Sequence, residues 1–263
     1  MKILFIGDIF GNKGIEAVVN ELKNIQNLYE IDFTIANAEN TTNGKSLSLD
    51  HYDILSKAGV QFFTFGNHTW HLDEIKHVLN KPNTVRPLNL RDDCSESKYG
   101  EGTRVILIKG KKIRITNLLG MSVEMKQKIQ TNPFLSLKNV VENDGSDIHI
   151  VDFHCETTSE KNALLLSFAG SVSAILGTHT HIQTNDNKIY NGTAYITDVG
   201  MTGGSLGVIG AEASPILDVF NGRAERFKMS PSNSEYQLNA VILTFDDITN
   251  RATDIEKINI LQK

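Results

Sequence analysis

The chain has 263 residues, 40% of them apolar, and a formal net charge of −5. That is enough to bury one large core, and too acidic to hold nucleic acid over a broad cationic face, which needs dense Lys and Arg. Two cysteines, Cys94 and Cys155, are too few for a disulfide framework and fit a reducing compartment. The first apolar run, residues 3 to 6, is too short for a secretion signal, and no stretch approaches the roughly 20 apolar residues of a membrane helix. The expectation is a soluble cytoplasmic protein without a membrane partner.

Residues 2 to 6 (KILFI), 31 to 36 (IDFTIA) and 61 to 65 (QFFTF) read as strands, each followed by an amphipathic helix near 13 to 27, 48 to 58 and 71 to 79. Ser48 heads the second helix as a cap and Gly59 stops it, while Pro82 and Pro87 punctuate the stretch after the third. This βα repeat predicts a largely parallel sheet with its ligand crevice beyond the carboxyl ends of the strands. Residues 103 to 109 and 112 to 118, joined through Gly110 and Lys111, alternate as a hairpin that begins a second sheet. Its cluster of Lys109, Lys111, Lys112 and Arg114 reads as a solvated tip, not a phosphate patch. Strands follow at 147 to 153, 172 to 177 and 193 to 198, with a helix at 159 to 169 between the first two. Residues 200 to 235, rich in glycine and broken by Pro215 and Pro231, predict a lid over the crevice or a short helical excursion. Strands at 238 to 245 and 253 to 260 finish a single domain spanning 1–263, with no repeat or linker.

The early strands exit into turns of metal-ligating residue types: Gly7-Asp8, Asn37-Ala38-Glu39-Asn40 and Gly66-Asn67-His68. The pattern returns at His154 and at Gly177-Thr178-His179-Thr180-His181. Carboxylate, amide and imidazole donors without thiolates suit iron, manganese or zinc better than a structural zinc site does. Singly, each has an ordinary explanation: an Asp capping a helix, an Asn in a turn, a hydrogen-bonded core His. Jointly, Asp8, Glu39, Asn40, Asn67, His154, His179 and His181 form a two-metal ligand set of the kind that attacks a phosphate ester. His51, His71, His77 and His149 lie outside the set and read as structural residues. None of Phe10, Trp70 or Tyr195 can be assigned as a base-stacking aromatic.

The order GD, NAEN, GNH, H, GTHTH resembles the calcineurin-like metallophosphoesterases. It is closest to their YmdB branch, through VRP (Val85 to Pro87), DFH followed by TSEK (Asp152 to Lys161), GTHTHIQT (Gly177 to Thr184) and AYITDVGMTG (Ala194 to Gly203). The similarity covers nearly the whole chain. It implies an α/β fold, a four-layer α/β/β/α sandwich of two mixed sheets flanked by helices. It also implies a dinuclear centre, with iron first and manganese or zinc as alternatives, and hydrolysis of 2′,3′-cyclic nucleotides, with some 3′,5′ activity. The chain departs from the wider superfamily in having Phe10 where a ligating His is usual and Glu39 as the bridging carboxylate. Cys155 stands where the branch usually has a small Ala and reads as packing.

Carried over by position, the resemblance assigns Asp8, Glu39, Asn40 and His181 to one metal and Glu39, Asn67, His154 and His179 to the other. Glu39 bridges, a shared hydroxide attacks, and His68 is the general acid. The plainer reading of His68 is a residue that orients a ligand. The partner implied is a small cyclic nucleotide, without stable nucleic-acid binding, and the family tends to form homo-oligomers, dimer or tetramer. Two alternatives stand beside this function: a phosphatase or RNA-end phosphoesterase using the same centre, and a regulatory protein whose metals are structural.

Overall fold

Alternation in the first strand decides the layering. In β1 (Lys2–Ile6), Ile3 and Phe5 face one way and Leu4 and Ile6 the other, and all four are fully buried; a strand covered on both faces lies between two layers. In the computed structural model, which describes residues 1–125 and 128–262, Ile3 and Phe5 pack with Ile35 and Phe62 of their own sheet and with Ile113, Ile148 and Leu176 of a second one. Leu4 and Ile6 turn instead to helices α1 (Gly11–Tyr29), α2 (Leu49–Ala58) and α3 (Ile75–Leu79), through Val18, Leu22, Leu55 and Val78. The second sheet covers its outer face, including Val151, Phe153 and Ile175, with Leu137 of α4 (Pro133–Val141) and Leu164 and Leu165 of α5 (Thr158–Phe168). The result is the expected α/β/β/α sandwich.

The first sheet is mixed. β1 runs parallel to β3 (Phe33–Asn37), and β3 to β4 (Phe62–Thr64). The strand beside β1 on its other side is the antiparallel β12 (Tyr236–Phe245), which also pairs with β11 (Met201–Gly204) and β13 (Ala252–Leu261). β2 (Asp8–Ile9) pairs with β11 at the edge. In the second sheet β6 (Lys111–Leu119), β7 (Ile148–His154), β8 (Ala174–Thr178) and β10 (Thr193–Ile196) run parallel, flanked antiparallel by β5 (Thr103–Ile108) and β9 (Lys188–Tyr190).

Several local expectations shift. The hairpin turn sits at Lys109-Gly110, one residue earlier than its sequence suggests, because both residues hold left-handed backbone (φ 49° and 82°), as a two-residue hairpin turn requires. The helix expected from residue 71 begins only at Ile75; Thr69–His71 is a single 3₁₀ turn. Helix α4 was not anticipated, although Asn132 caps it by accepting from the amide of Phe134 at 2.9 Å and Pro133 occupies its first turn. The Gly-rich excursion starts inside the sheet as β11 and contains α6 (Ala213–Phe220). Among the described residues no helix is long and apolar enough to cross a membrane.

Candidate metal centre

β1, β3, β4, β7 and β8 all point their carboxyl ends at one region, which brings turns far apart in sequence together. Oε1 of Glu39 lies 3.0 Å from Nε2 of His154. The same nitrogen is 3.0 Å from Oδ1 of Asn67 and 2.9 Å from Nδ1 of His179. Asp8 joins through Oδ1, 3.8 Å from the His154 ring, and through Oδ2, which accepts the main-chain amide of His179 at 2.9 Å. One atom each from Glu39, His154 and His179 fall within 4.8 Å of one another. Five of the seven expected ligands are thus in direct contact.

Asn40 and His181 flank this group without hydrogen-bonding to it. Asn40 donates its amide to the carbonyl of Gly44 at 3.0 Å, leaving a buried Oδ1 without a partner. His181 pairs Nδ1 with the carbonyl of Ile209 at 2.8 Å and takes the edge of the Phe10 ring, so its Nε2 is the nitrogen left for a ligand. Phe10 is packing: it is buried with Met201, Ala211 and Ile216.

The tautomer of His154 follows from its surroundings. Thr178 donates its hydroxyl to Oδ1 of the buried Asp152 at 2.7 Å, so it accepts from Nδ1 of His154 at 2.9 Å. That relay keeps a proton on Nδ1 and aims Nε2 at Glu39, Asn67 and His179. Asp152 is fixed in turn by the amide of Asn37 at 2.9 Å. Asn37, Asp152 and Thr178 were missed as functional residues; the signal was Asp152, a carboxylate set between Ile150-Val151 and Phe153 two residues before a candidate ligand.

Beneath the His179–His181 turn lies a second buried charge. Lys161 and Asp198, both fully buried, pair at 2.8 Å, and Asp198 also accepts the amides of Thr180 at 3.0 Å and Gly200 at 2.8 Å. His179 and His181 themselves hold left-handed backbone, φ 103° and 66°, which a non-glycine residue adopts only when its surroundings impose it. Space is equally constrained at Gly66: a Cβ there would sit 2.5 Å from Oε2 of Glu39 and from Nε2 of His154.

The electrostatics call for a cation. Burial pushes the Asp8 carboxyl well above its usual range, with the like charges of Asp198 and Glu39 adding to it, and Oδ1 of Asp8 is buried without a hydrogen bond. Burial also opposes the charge on Glu39, but the His154 imidazolium overcomes it and holds Glu39 at about 2. His154 rises to about 9 despite its burial, because Glu39, Asp8 and Asp152 surround it. His179 is driven down to about 3 by burial and by its neighbour His154, and burial lowers His181 as well, so both rings carry lone pairs. Acceptors outnumber protons at this point, and unpaired buried oxygens on Asp8 and Asn40 face the deficit; divalent ions would satisfy both. His68 differs from these residues: its imidazole hydrogen-bonds to no side chain among the described residues, and burial lowers its pKa.

Comparison with known proteins agrees with the fold. A family described as "YmdB-like protein" matches residues 4–258. A Bacillus subtilis protein named 2′,3′-cyclic-nucleotide 2′-phosphodiesterase is 37% identical over 264 residues, 99% of this chain and 97% of that protein. The crystal structure of a Mycoplasma pneumoniae phosphatase superposes with a TM-score of 0.96 at 44% identity, covering 99% of this chain and 93% of that one. A calcineurin-like phosphoesterase of Bacillus subtilis, at 11% identity and a TM-score of 0.62 over 98% and 90% of the two chains, shares the fold alone.

Proposed function

The chain belongs to the YmdB-like protein family, and we propose that it is a metal-dependent phosphodiesterase acting on 2′,3′-cyclic nucleotides. The observation that carries this reading is the convergence of Glu39, Asn67, His154 and His179 on one point, with unpaired oxygens of Asp8 and Asn40 beside it. Such a donor set fits two ions: Asp8, Glu39, Asn40 and His181 would hold one, and Glu39, Asn67, His154 and His179 the other. When bound, the ions lower the pKa of a water nucleophile and neutralise charge on the phosphate. Iron is the first candidate, since oxygen and nitrogen donors without thiolate accept iron, manganese or zinc.

The chain's own residues do the rest. The Asp152–Thr178–His154 relay turns Nε2 of His154 toward the centre, where an ion would take the place of its proton, and Asp198 fixes the turn that carries His179 and His181. His68 lies beside Asn67 at the edge of the centre, where its imidazole can give a proton to the departing ribose oxygen. The names of the relatives, a 2′,3′-cyclic-nucleotide phosphodiesterase and a phosphatase, support a phosphoester hydrolase and leave diester and monoester both to be measured.

The test is anaerobic purification with elemental analysis, then turnover of 2′,3′-cyclic nucleotides, 3′,5′-cyclic nucleotides and phosphomonoesters, with and without chelator. We expect two ions per chain and chelator-sensitive cleavage of the 2′,3′-cyclic diesters. Preference for monoesters would reassign the substrate, and loss of metal without loss of turnover would remove the mechanism.

A further inference from the structure

Next to the centre, on the side of Asn67 and His68, opens a cavity of about 260 Å³. Besides Asn67 and the imidazoles of His68 and His71, three kinds of chemistry line it. Trp70, Met125 and Ile129 give an aromatic and apolar wall; Lys45 gives a cation; Glu96 and Glu124 give carboxylates. The wall is backed by the core, because Trp70 also packs on the cluster of Leu90, Leu119, Val123 and Ile129. The cation is positioned by the centre itself: Lys45 sits in the turn that follows Glu39 and Asn40, and its neighbour Ser46 donates Oγ to the carbonyl of Thr69 at 2.6 Å. Lys45 and Trp70 therefore stand on two segments tied together directly beside the ligands. Lys45 forms no ion pair among the described residues.

Charge decides what the cavity takes. Two carboxylates disfavour a second phosphate or an acidic peptide, and they accept hydrogen bonds from hydroxyl and amino groups. An aromatic wall offers a stacking face to a flat neutral ring. A single cation near the centre matches one phosphate. We infer that this cavity is the nucleoside subsite of the enzyme: Trp70 stacks on the base, Glu96 and Glu124 accept from its amino or ribose hydroxyl donors, and Lys45 meets the phosphate as it enters the centre. This inference rests on the phosphoester reading of the neighbouring centre and goes further in naming the group that identifies the substrate.

Trp70 is the only tryptophan in the chain, so its fluorescence reports occupancy directly. Adenosine 3′-phosphate is expected to quench that emission saturably, while ribose 5-phosphate and inorganic phosphate leave it unchanged. Absence of nucleotide quenching, or equal quenching by ribose 5-phosphate, overturns the subsite. In turnover, Trp70→Ala is expected to lower the ratio of kcat/KM for adenosine 2′,3′-cyclic phosphate to that for the base-free glycerol 1,2-cyclic phosphate. The expected drop is about tenfold or more, carried by KM, as loss of one stacked base implies, and Trp70→Phe should restore most of it. An equal loss on both substrates, or no change in the ratio, also overturns the inference. If the wild-type protein cleaves no phosphoester, the functional reading fails alone, and the fluorescence titration still decides the subsite.

Discussion

The main-chain amide of His68 donates to Oε2 of Glu39 at 2.7 Å. The backbone of the candidate acid thus steadies the carboxylate proposed to bridge both ions, and its imidazole takes no part in holding them. His68→Ala keeps that amide. It should retain both metals by elemental analysis while kcat falls by about 10²-fold or more, the size expected for loss of a general acid. Unchanged turnover would take His68 out of the chemistry.

Glu39→Ala removes the one carboxylate shared by both proposed ligand sets. Both ions should be lost on purification, and added metal should restore little activity. A Glu39→Ala protein still carrying two ions per chain would refute the bridging assignment.

Thr178 is fully buried, and its hydroxyl fixes Nδ1 of His154 as a proton-bearing nitrogen. Thr178→Val keeps the shape and breaks the relay, so metal affinity should fall by about 10- to 100-fold with an unchanged circular dichroism spectrum. Thr178→Ser should stay near wild type. Equal affinities in the two variants would show that the relay does not tune the site.

Lys161→Met strands the buried carboxylate of Asp198. Removing one member of a buried pair costs about 3–5 kcal/mol, which lowers the midpoint of thermal unfolding by roughly 6–20 °C in a chain of this size. Because Asp198 also holds the amide of Thr180, metal affinity should weaken in the same variant below its unfolding temperature. A calorimetric shift under about 2 °C would contradict the role given to the pair.

Acid stability should also depend on a pair far from the centre. Asp144 is partly desolvated, which raises its pKa, but His149 at 2.7 Å, Arg114 at 2.9 Å and the Ser146 amide overcome this and hold the carboxyl well below its usual range. Burial holds His149 below its ordinary value. Both groups bind protons more readily in the unfolded chain. Stability is therefore lost first as pH falls below about 6.5, the unfolded His value, and again below about 3.9, the unfolded Asp value. Midpoints measured against pH should decline on the acid side in the wild type and decline less in His149→Phe. An identical slope would exclude His149 as a source.

The ligands were legible because each ends a buried strand whose run of apolar residues is visible in sequence, and a polar turn after such a run has little else to do. Seven named positions followed from that logic, and five of them meet directly. What remained hidden depends on distance. Asp152 reads as an oddity in a strand until Thr178, 26 residues away, gives it a purpose. Lys161 and Asp198 are unremarkable singly, and only the fold shows them sealed together beneath the histidine turn. Trp70 could not be given a role because sequence shows only that it is near the site, whereas the chain makes a 3₁₀ turn there and sets the ring beside a cavity. The antiparallel β12 was recognised as a strand but not as a central one, since pairing partners are a property of the assembled sheet.

That placement governs the order in which the protein can come into being. β12 sits between β1 and β11, so the sheet that supports Asp8 gains its middle strand from residues 236–245, which are translated after every candidate ligand. All seven candidate ligands have been synthesised by residue 181, more than fifty residues earlier. The nascent chain thus passes through a stage in which it owns every donor atom of the centre but lacks the strand that joins β1 to β11, and pairing so distant in sequence is slow to form. The centre is consequently complete only once β12 and β13 have paired, well after the last of its ligands has been made.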